Sequence, residues 1–299
     1  MRITQSMLSN NMLRHLMDNQ QKMDKYMKQL YTGKKISRPS DDPVIAMKGI
    51  NNRTQVREVE QFKRNTNEVQ KWMDHSDSAL DKATQAMHRL NELAVQASNA
   101  TYGDDDLKSI KKDALQLKDH LVDIANTKMG GKYIFNGTNT TEPPIKTDED
   151  SEQLDIDPNE TPVEIEVFKG VTIQANVDAS SVFNSDFFEN IDNFINKLDP
   201  EGEDLDDDVR VDSSIQALND NLNAISDARA DLGARTNRME LIENRLDEHE
   251  VTAKKIMSDN EDVDFEEAIT NLITQETLHR AALATGSRMI QPTLIDFLN

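Results

Sequence analysis

Asp155, Asp157, Asn159 and Glu166 stand at positions 1, 3, 5 and 12 of a calcium-loop pattern. That spacing gathers side-chain oxygens and a closing bidentate glutamate around one hard cation. The place that needs a glycine holds Glu160, prolines fill two other places, and a strand-like alternation follows where a helix should begin. The stretch therefore reads better as an acidic loop leading into a hairpin. His249 and Glu250 are adjacent, but no histidine lies three residues past the glutamate, so they form a charged helix face and not the zinc-protease motif. There is no glycine-rich phosphate loop, and serine with histidine means little without a motif. The chain has no cysteine, which excludes disulfides, thiolate metal sites and thiol nucleophiles together. No enzyme activity, cofactor or metal is expected.

The residues that do have a legible local role are structural. In KKISRPSDDPVIAMKGI, Lys34 to Ile50, two prolines and three short polar residues interrupt long segments with few helix breakers. Asp42 precedes a proline, which pushes it out of the helical region and into the state an N-cap residue needs. Pro43 suits the first helical position, where its missing N–H costs nothing. Pro39, Ser40, Asp41, Asp42 and Pro43 thus form a joint: one segment ends near Lys35 and a helix starts at Pro43.

The elements around the joint are predominantly helical. Val59, Phe62, Val69, Met73, Leu80, Ala83, Met87, Leu90, Ala94 and Ala97 step by threes and fours, interrupted only by Thr66 and Ser76. This predicts a long helix from Pro43 to about Asn99 with a seam for partner helices. Trp72 lies beside the seam and is expected to pack on a neighbour. A second helix carries Leu107, Ile110, Ala114, Leu117, Leu121 and Ile124. A third carries Ile215, Leu218, Leu222 and Ile225, then, after a slip near Gly233, Met239, Ile242, Leu246, Ala253 and Ile256. Between them PVEIEVFKGVTIQANV alternates with period two around Lys169-Gly170, a β-hairpin, and DFFENIDNFINKL forms an amphipathic helix. The expected fold is mainly α: an elongated antiparallel helical bundle or coiled coil built from both chain ends, with a small β-rich insertion.

Charge sharpens this division. Of a net −21 over 299 residues, residues 138 to 208 hold 21 acidic against 3 basic side chains, whereas the first 40 hold 8 basic against 2 acidic. The middle block is built to face solvent, and its β-rich insertion, about residues 138–183, is expected to be dispensable for assembly. The acidic EGEDLDDD is a solvated linker, and nucleic acid is disfavoured as a partner. No stretch approaches the roughly 18 apolar residues of a membrane span, so no membrane insertion is expected. The start lacks the apolar run and cleavage site of a secretory signal.

Both termini are amphipathic beyond what a three-helix bundle requires. Leu16, Met23 and Leu30 lie one heptad apart, with Met12, Tyr26 and Met27 nearby; Phe265, Ile269, Leu272, Leu283, Ile290, Leu294 and Phe297 mark the other end. Asp264 with Glu267 resembles a capping box that starts the last helix. The ends are expected to pair with each other and with other subunits, Leu16, Met23, Leu30, Leu283, Ile290, Leu294 and Phe297 being the interaction residues, and to be loose in a monomer. The resulting domains are 1–40 with 262–299 (terminal polymerisation helices), 41–137 with 184–261 (bundle), and 138–183 (acidic β-rich insertion).

Four motifs in order, KKISRPSDDPVIAMKGI, GGKYIFNGTNT, ARADLGARTNRME and DFEEAITNLITQETLHRAALATGSRMIQPTLIDFL, closely resemble the flagellin superfamily, in its hook-associated protein 3 branch. The resemblance covers about residues 1–137 and 209–299. The prolines flanking Ser40–Asp42, the YIFNG segment and the terminal LIDFL favour that branch over flagellin itself. It implies a structural junction adaptor of the bacterial flagellum, secreted unfolded through the flagellar type III channel with an uncleaved signal. The implied partners are the preceding hook-filament junction protein, flagellin, neighbouring copies of itself, and an export chaperone at the carboxy-terminal helix. The alternative is a flagellin-like filament subunit.

Overall fold

The computed structural model describes residues 5–98, 103–147, 154–156, 158–198 and 207–290. Its helices are α1 (Gln5–Thr32), α2 (Pro43–Ala97), α3 (Asp104–Ala125), α4 (Ser185–Lys197), α5 (Asp207–Glu261) and α6 (Phe265–Ile290). Six short strands lie between α3 and α4: β1 (Lys128–Met129), β2 (Lys132–Tyr133), β3 (Ile145–Thr147), β4 (Leu154–Ile156), β5 (Glu164–Phe168) and β6 (Val171–Gln174). They pair only as three antiparallel hairpins, β1-β2, β3-β4 and β5-β6. The chain divides into two compact units, one of residues 1–58 with 248–299 and one of residues 59–247.

In the unit of residues 59–247, α2 and α5 run antiparallel. Lys63 pairs with Asp247 at 2.7 Å, Arg229 bridges Asp77 at 3.0 Å and Asp81 at 2.9 Å, and Asn91 meets Asn219 at 2.5 Å. The α5 seam is a continuous heptad: Leu218, Ile225, Leu232, Met239 and Leu246 are all buried. The expected slip near Gly233 is therefore corrected. Leu232 carries the seam through, and Gly233 lies on the solvent face of an unbroken helix. Thr66 and Ser76, which interrupt the apolar series of α2, are buried in its seam all the same. Thr66 Oγ donates to the Phe62 carbonyl at 2.8 Å, an intrahelical bond that hides its polarity.

The strands share this core. Ile134, Phe135, Val167, Ile173, Ala175, Val177, Val182 and Phe183 are buried in one cluster with Val69, Leu80 and Leu121. Phe183 packs edge-on against Phe135 and Phe187, with centroids 5.3 and 5.7 Å apart. Phe168 stacks on Phe62 and lies under the Arg245 guanidinium at 4.5 Å. The block is therefore not an independent appendage: removing residues 138–183 would uncover part of the bundle core. Period-two strands have one apolar face, an isolated hairpin cannot bury it, and the helices supply the cover. The GGKYIFNG motif has a geometric reason here. Gly130 and Gly131 both take positive φ in the two-residue turn between β1 and β2. Gly137 lies so near the Asn159 and Thr161 carbonyls that a Cβ would sit 2.4 and 2.6 Å from them.

In the candidate calcium loop, two of the described ligand-type oxygens are taken up by nearby backbone amides. Glu166 Oε1 accepts from the Gly170 amide at 2.9 Å, closing the β5-β6 turn, and Asn159 Oδ1 accepts from the Thr161 amide at 2.8 Å. Asp157 lies outside the described residues, as does most of EGEDLDDD.

Candidate functional site: the joint and the paired terminal helices

The unit of residues 1–58 and 248–299 contains every described residue of the sequence-derived interaction and joint sets. α1 ends at Thr32, Gly33 turns the chain with φ +69°, and α2 begins at Pro43. Pro39 occupies the second position of a turn closed by the Asp41 amide donating to the Arg38 carbonyl at 3.0 Å. The Asp41 carboxylate accepts from the amides of Arg38 (2.9 Å) and Ser37 (3.1 Å). Those two N–H groups, Arg38 first, stabilise the ionised form and hold its pKa below the ordinary carboxylate range. Asp42 Oδ1 accepts from the amides of Val44 (2.9 Å) and Ile45 (3.1 Å), the N-cap its position before proline predicts. Ser40 sits in the turn itself.

Sequence reasoning missed what this loop is fastened to. Lys34 forms an antiparallel bridge with Asp262; the Lys35 amide donates to the Glu261 carbonyl at 2.7 Å and the Val263 amide to the Gly33 carbonyl at 2.9 Å. Lys34 Nζ lies 2.7 Å from Asp262 and 3.4 Å from Glu261, and Arg53 lies 2.7 Å from Glu261. The hydrogen bond to Asp262 holds the Lys34 ammonium above its ordinary value, against a smaller opposing effect of burial. The Lys34 bond, with Ser258 second, holds Asp262 below its ordinary value. A small cavity of about 130 Å³ beside this clasp is lined by Ile36, Pro39, Ile45, Ala46 and Ile50 among others. The available sequence signal was charge: Gly-Lys-Lys at one end of the chain, and Asn-Glu-Asp-Val-Asp at the other.

α1 and α6 pack against each other antiparallel, with Met12 over Gly286 and Gly33 beside Phe265. Met12, Leu16, Asn19, Met23, Tyr26 and Leu30 form the half-buried stripe of α1, so Leu16, Met23 and Leu30 are on the inward face. The facing stripe of α6 is Ala268, Leu272, Gln275, His279, Ala282 and Gly286. Small residues there let the two backbones approach closely. Leu283, an expected interaction residue, is 50% exposed and lies off the facing stripe. Ile290 ends α6 with its side chain undescribed, and Leu294 and Phe297 lie outside the described residues. Asp264 Oδ1 caps α6 through the amides of Glu266 (3.0 Å) and Glu267 (3.2 Å).

The pairing leaves large apolar side chains in solvent. On α1 these include Leu13, Met17, Met27 and Tyr31, and on α6 Phe265, Ile269, Ile273 and Leu283. At about 3.6 residues per turn, both sets lie on the same rotational flank of their inward stripes. In an antiparallel pair those flanks point to one side, so the eight residues form a common apolar face.

Residues 3–140 match the family model of the bacterial flagellin N-terminal helical region, and residues 215–298 that of the C-terminal helical region. Together the matches span well over half of the chain. The chain belongs to the flagellin family. Among flagellin-family relatives, flagellar hook-associated protein 3 of Escherichia coli (strain K12) is 28% identical over 94% of this chain and 95% of that protein. Flagellin of Bacillus subtilis (strain 168) is 26% identical over 95% and 94%. Among solved structures, flagellar hook-associated protein 3 from Legionella pneumophila superposes with TM-score 0.62 at 16% identity, covering 70% of this chain and 97% of that one. FlgL from Bacillus cereus gives 0.58 at 20% identity, covering 70% and 99%. These likenesses establish the flagellin-like fold. The relatives are structural proteins of the bacterial flagellum, and the chain is a flagellar component that interacts with other components of that organelle.

Proposed function

We propose that this flagellin-family chain is the structural adaptor between hook and filament, seated on the preceding hook-filament junction protein and bearing flagellin. The observation that carries this reading is full-length similarity to hook-associated protein 3 in a chain whose terminal helices pair yet leave an apolar face open. Covering that face on assembly would stabilise each buried large side chain by roughly 1.5–3 kcal/mol before ordering costs. The terminal helices, 1–40 and 262–299, then act as the polymerisation domain. The bundle of 41–137 and 184–261 acts as the rigid spacer, with the acidic block of 138–183 outermost. Leu283 serves as a contact to the next subunit. Export unfolded through the type III channel, with a chaperone on the carboxy-terminal helix, belongs to the same reading. No reaction is assigned.

Similarity to flagellin over most of the chain favours a second reading, the filament subunit. Seeding the purified protein with filament fragments and sedimenting the mixture separates the two. An adaptor stays in the supernatant apart from a short terminal cap, whereas a filament subunit moves to the pellet in proportion to its concentration. Labelled antibody on isolated flagella gives a single band at the junction for the adaptor, and label along the shaft for the alternative.

A further inference from the structure

Gly49 sits inside α2, where glycine is unfavourable relative to alanine, and the side chain that faces it explains its presence. A Cβ on residue 49 would lie 2.7 Å from Glu261 Oε1. Glu261 is only 4% exposed. Its two oxygens are treated unequally. Oε2 receives both Arg53 at 2.7 Å and Lys34 at 3.4 Å, while Oε1, pressed against Gly49, has no hydrogen-bond partner among the described residues. The same residue grips the joint through its main chain, its carbonyl accepting from the Lys35 amide. Around it, Asn260 donates to the Ile45 carbonyl at 3.2 Å and Lys35 Nζ to the Asp259 carbonyl at 2.6 Å. Three segments, the loop after α1, the start of α2 and the end of α5, thus converge on one buried carboxylate.

We propose that Glu261 is the positioning residue of the joint: seated against Gly49 and bound to Arg53 and Lys34, it fixes the direction in which the α1–α6 pair leaves the start of α2, and assembly into the flagellum requires that direction. A buried carboxylate left half-satisfied is unfavourable in itself, which makes a purely stabilising role a poor account of it. Its position gives the better account, since no other carboxylate among the described residues binds both Lys34 and Arg53. Gly49 and Glu261 act as a matched pair. The glycine supplies the space and the carboxylate uses it.

The assignment rests on the assembly reading above, and the test separates the two. Full-length Gly49→Ala, Glu261→Ala and the double variant are compared by amide exchange at Lys35 and Val263, by exchange at Ile225 in α5, and by swimming of cells carrying each variant. Each single variant is expected to speed exchange at Lys35 and Val263 on the order of tenfold with Ile225 unchanged, and to impair swimming. The double variant should be no worse than Glu261→Ala alone, because the methyl group at 49 does its harm through the carboxylate. Multiplying effects in the double variant, unchanged exchange in Gly49→Ala, or normal swimming with an opened joint would each overturn the proposal. If the wild-type chain is absent from isolated flagella the assembly reading fails instead, while the exchange data still decide whether Glu261 holds the joint.

Discussion

Asp41 and Asp42 are neighbours with different tasks, one tying the loop to itself and the other starting a helix. Removing the cap with Asp42→Ala should cost about 1 kcal/mol, within a range of roughly 0.5–2, and should fray the first turn of α2, read as faster exchange at Val44 and Ile45. The charged clasp sets a pH dependence. Asp41 and Asp262 titrate below the ordinary value of 3.8, so they contribute stability that is present above that value and lost as pH falls through their folded-state values. Lys34 titrates above its ordinary 10.5, so its contribution is present below that value and lost as pH rises through the folded one. Intrinsic-rate-corrected exchange at Lys35 and Val263 should therefore be flat through neutral pH and rise only at the acidic and alkaline extremes. Solvent reaches all three groups, Lys34 and Asp262 being half-buried, so high salt should narrow the flat region. A rise near neutral pH would show that the clasp does not control the joint.

Elements differ in how much their neighbours constrain them. Gly233 is exposed in α5 and a Cβ there would meet open space, so Gly233→Ala should stabilise the bundle by up to about 1 kcal/mol, visible as a higher urea midpoint with unchanged slope. Phe187 is buried between Phe183 and Phe188, and Phe187→Ala should cost about 3–5 kcal/mol in the same titration. The joint between α1 and α2 is set by prolines, cap and turn together. Replacing both Pro39 and Pro43 with alanine weakens only part of that set. A small gain of helix in far-ultraviolet circular dichroism and shedding of filaments are expected, and wild-type motility with unchanged helicity would count against it.

For the whole molecule, two kinds of surface govern behaviour. The strands share the bundle core through Val167, Ile173 and Phe183, so deleting residues 138–183 should lower the unfolding midpoint of the bundle, contrary to what their charge alone implies. The apolar face of the α1–α6 pair has the opposite character, since it is exposed and its loss harms nothing in the monomer. Leu283→Ser should leave helicity and unfolding unchanged while weakening incorporation into flagella, measured by antibody label at the junction. The α6 side of the inward stripe is short of large apolar residues and the α1 side is only half-buried, so the pair should open before the bundle does. Limited proteolysis is accordingly expected to remove about the first 40 and last 40 residues first.

Periodicity is a local property, and the sequence by itself determined whatever depends on it. The long seam of α2, the β5-β6 turn at Lys169-Gly170, the amphipathic α4 and the start at Asp42-Pro43 all follow from residue spacing, caps and glycine or proline stereochemistry. The motifs also sufficed for the family, because four of them occur in order. Tertiary structure alone decided which side of each terminal helix meets its partner. The apolar spacing marked Leu283 as an interaction residue without saying what it would meet, and close packing set the small residues Ala282 and Gly286 against α1 and left the leucine outside. It alone also joined Gly49 and Arg53 to Glu261, more than two hundred residues away. A buried carboxylate is recognised by what surrounds it, and no local spacing encodes that.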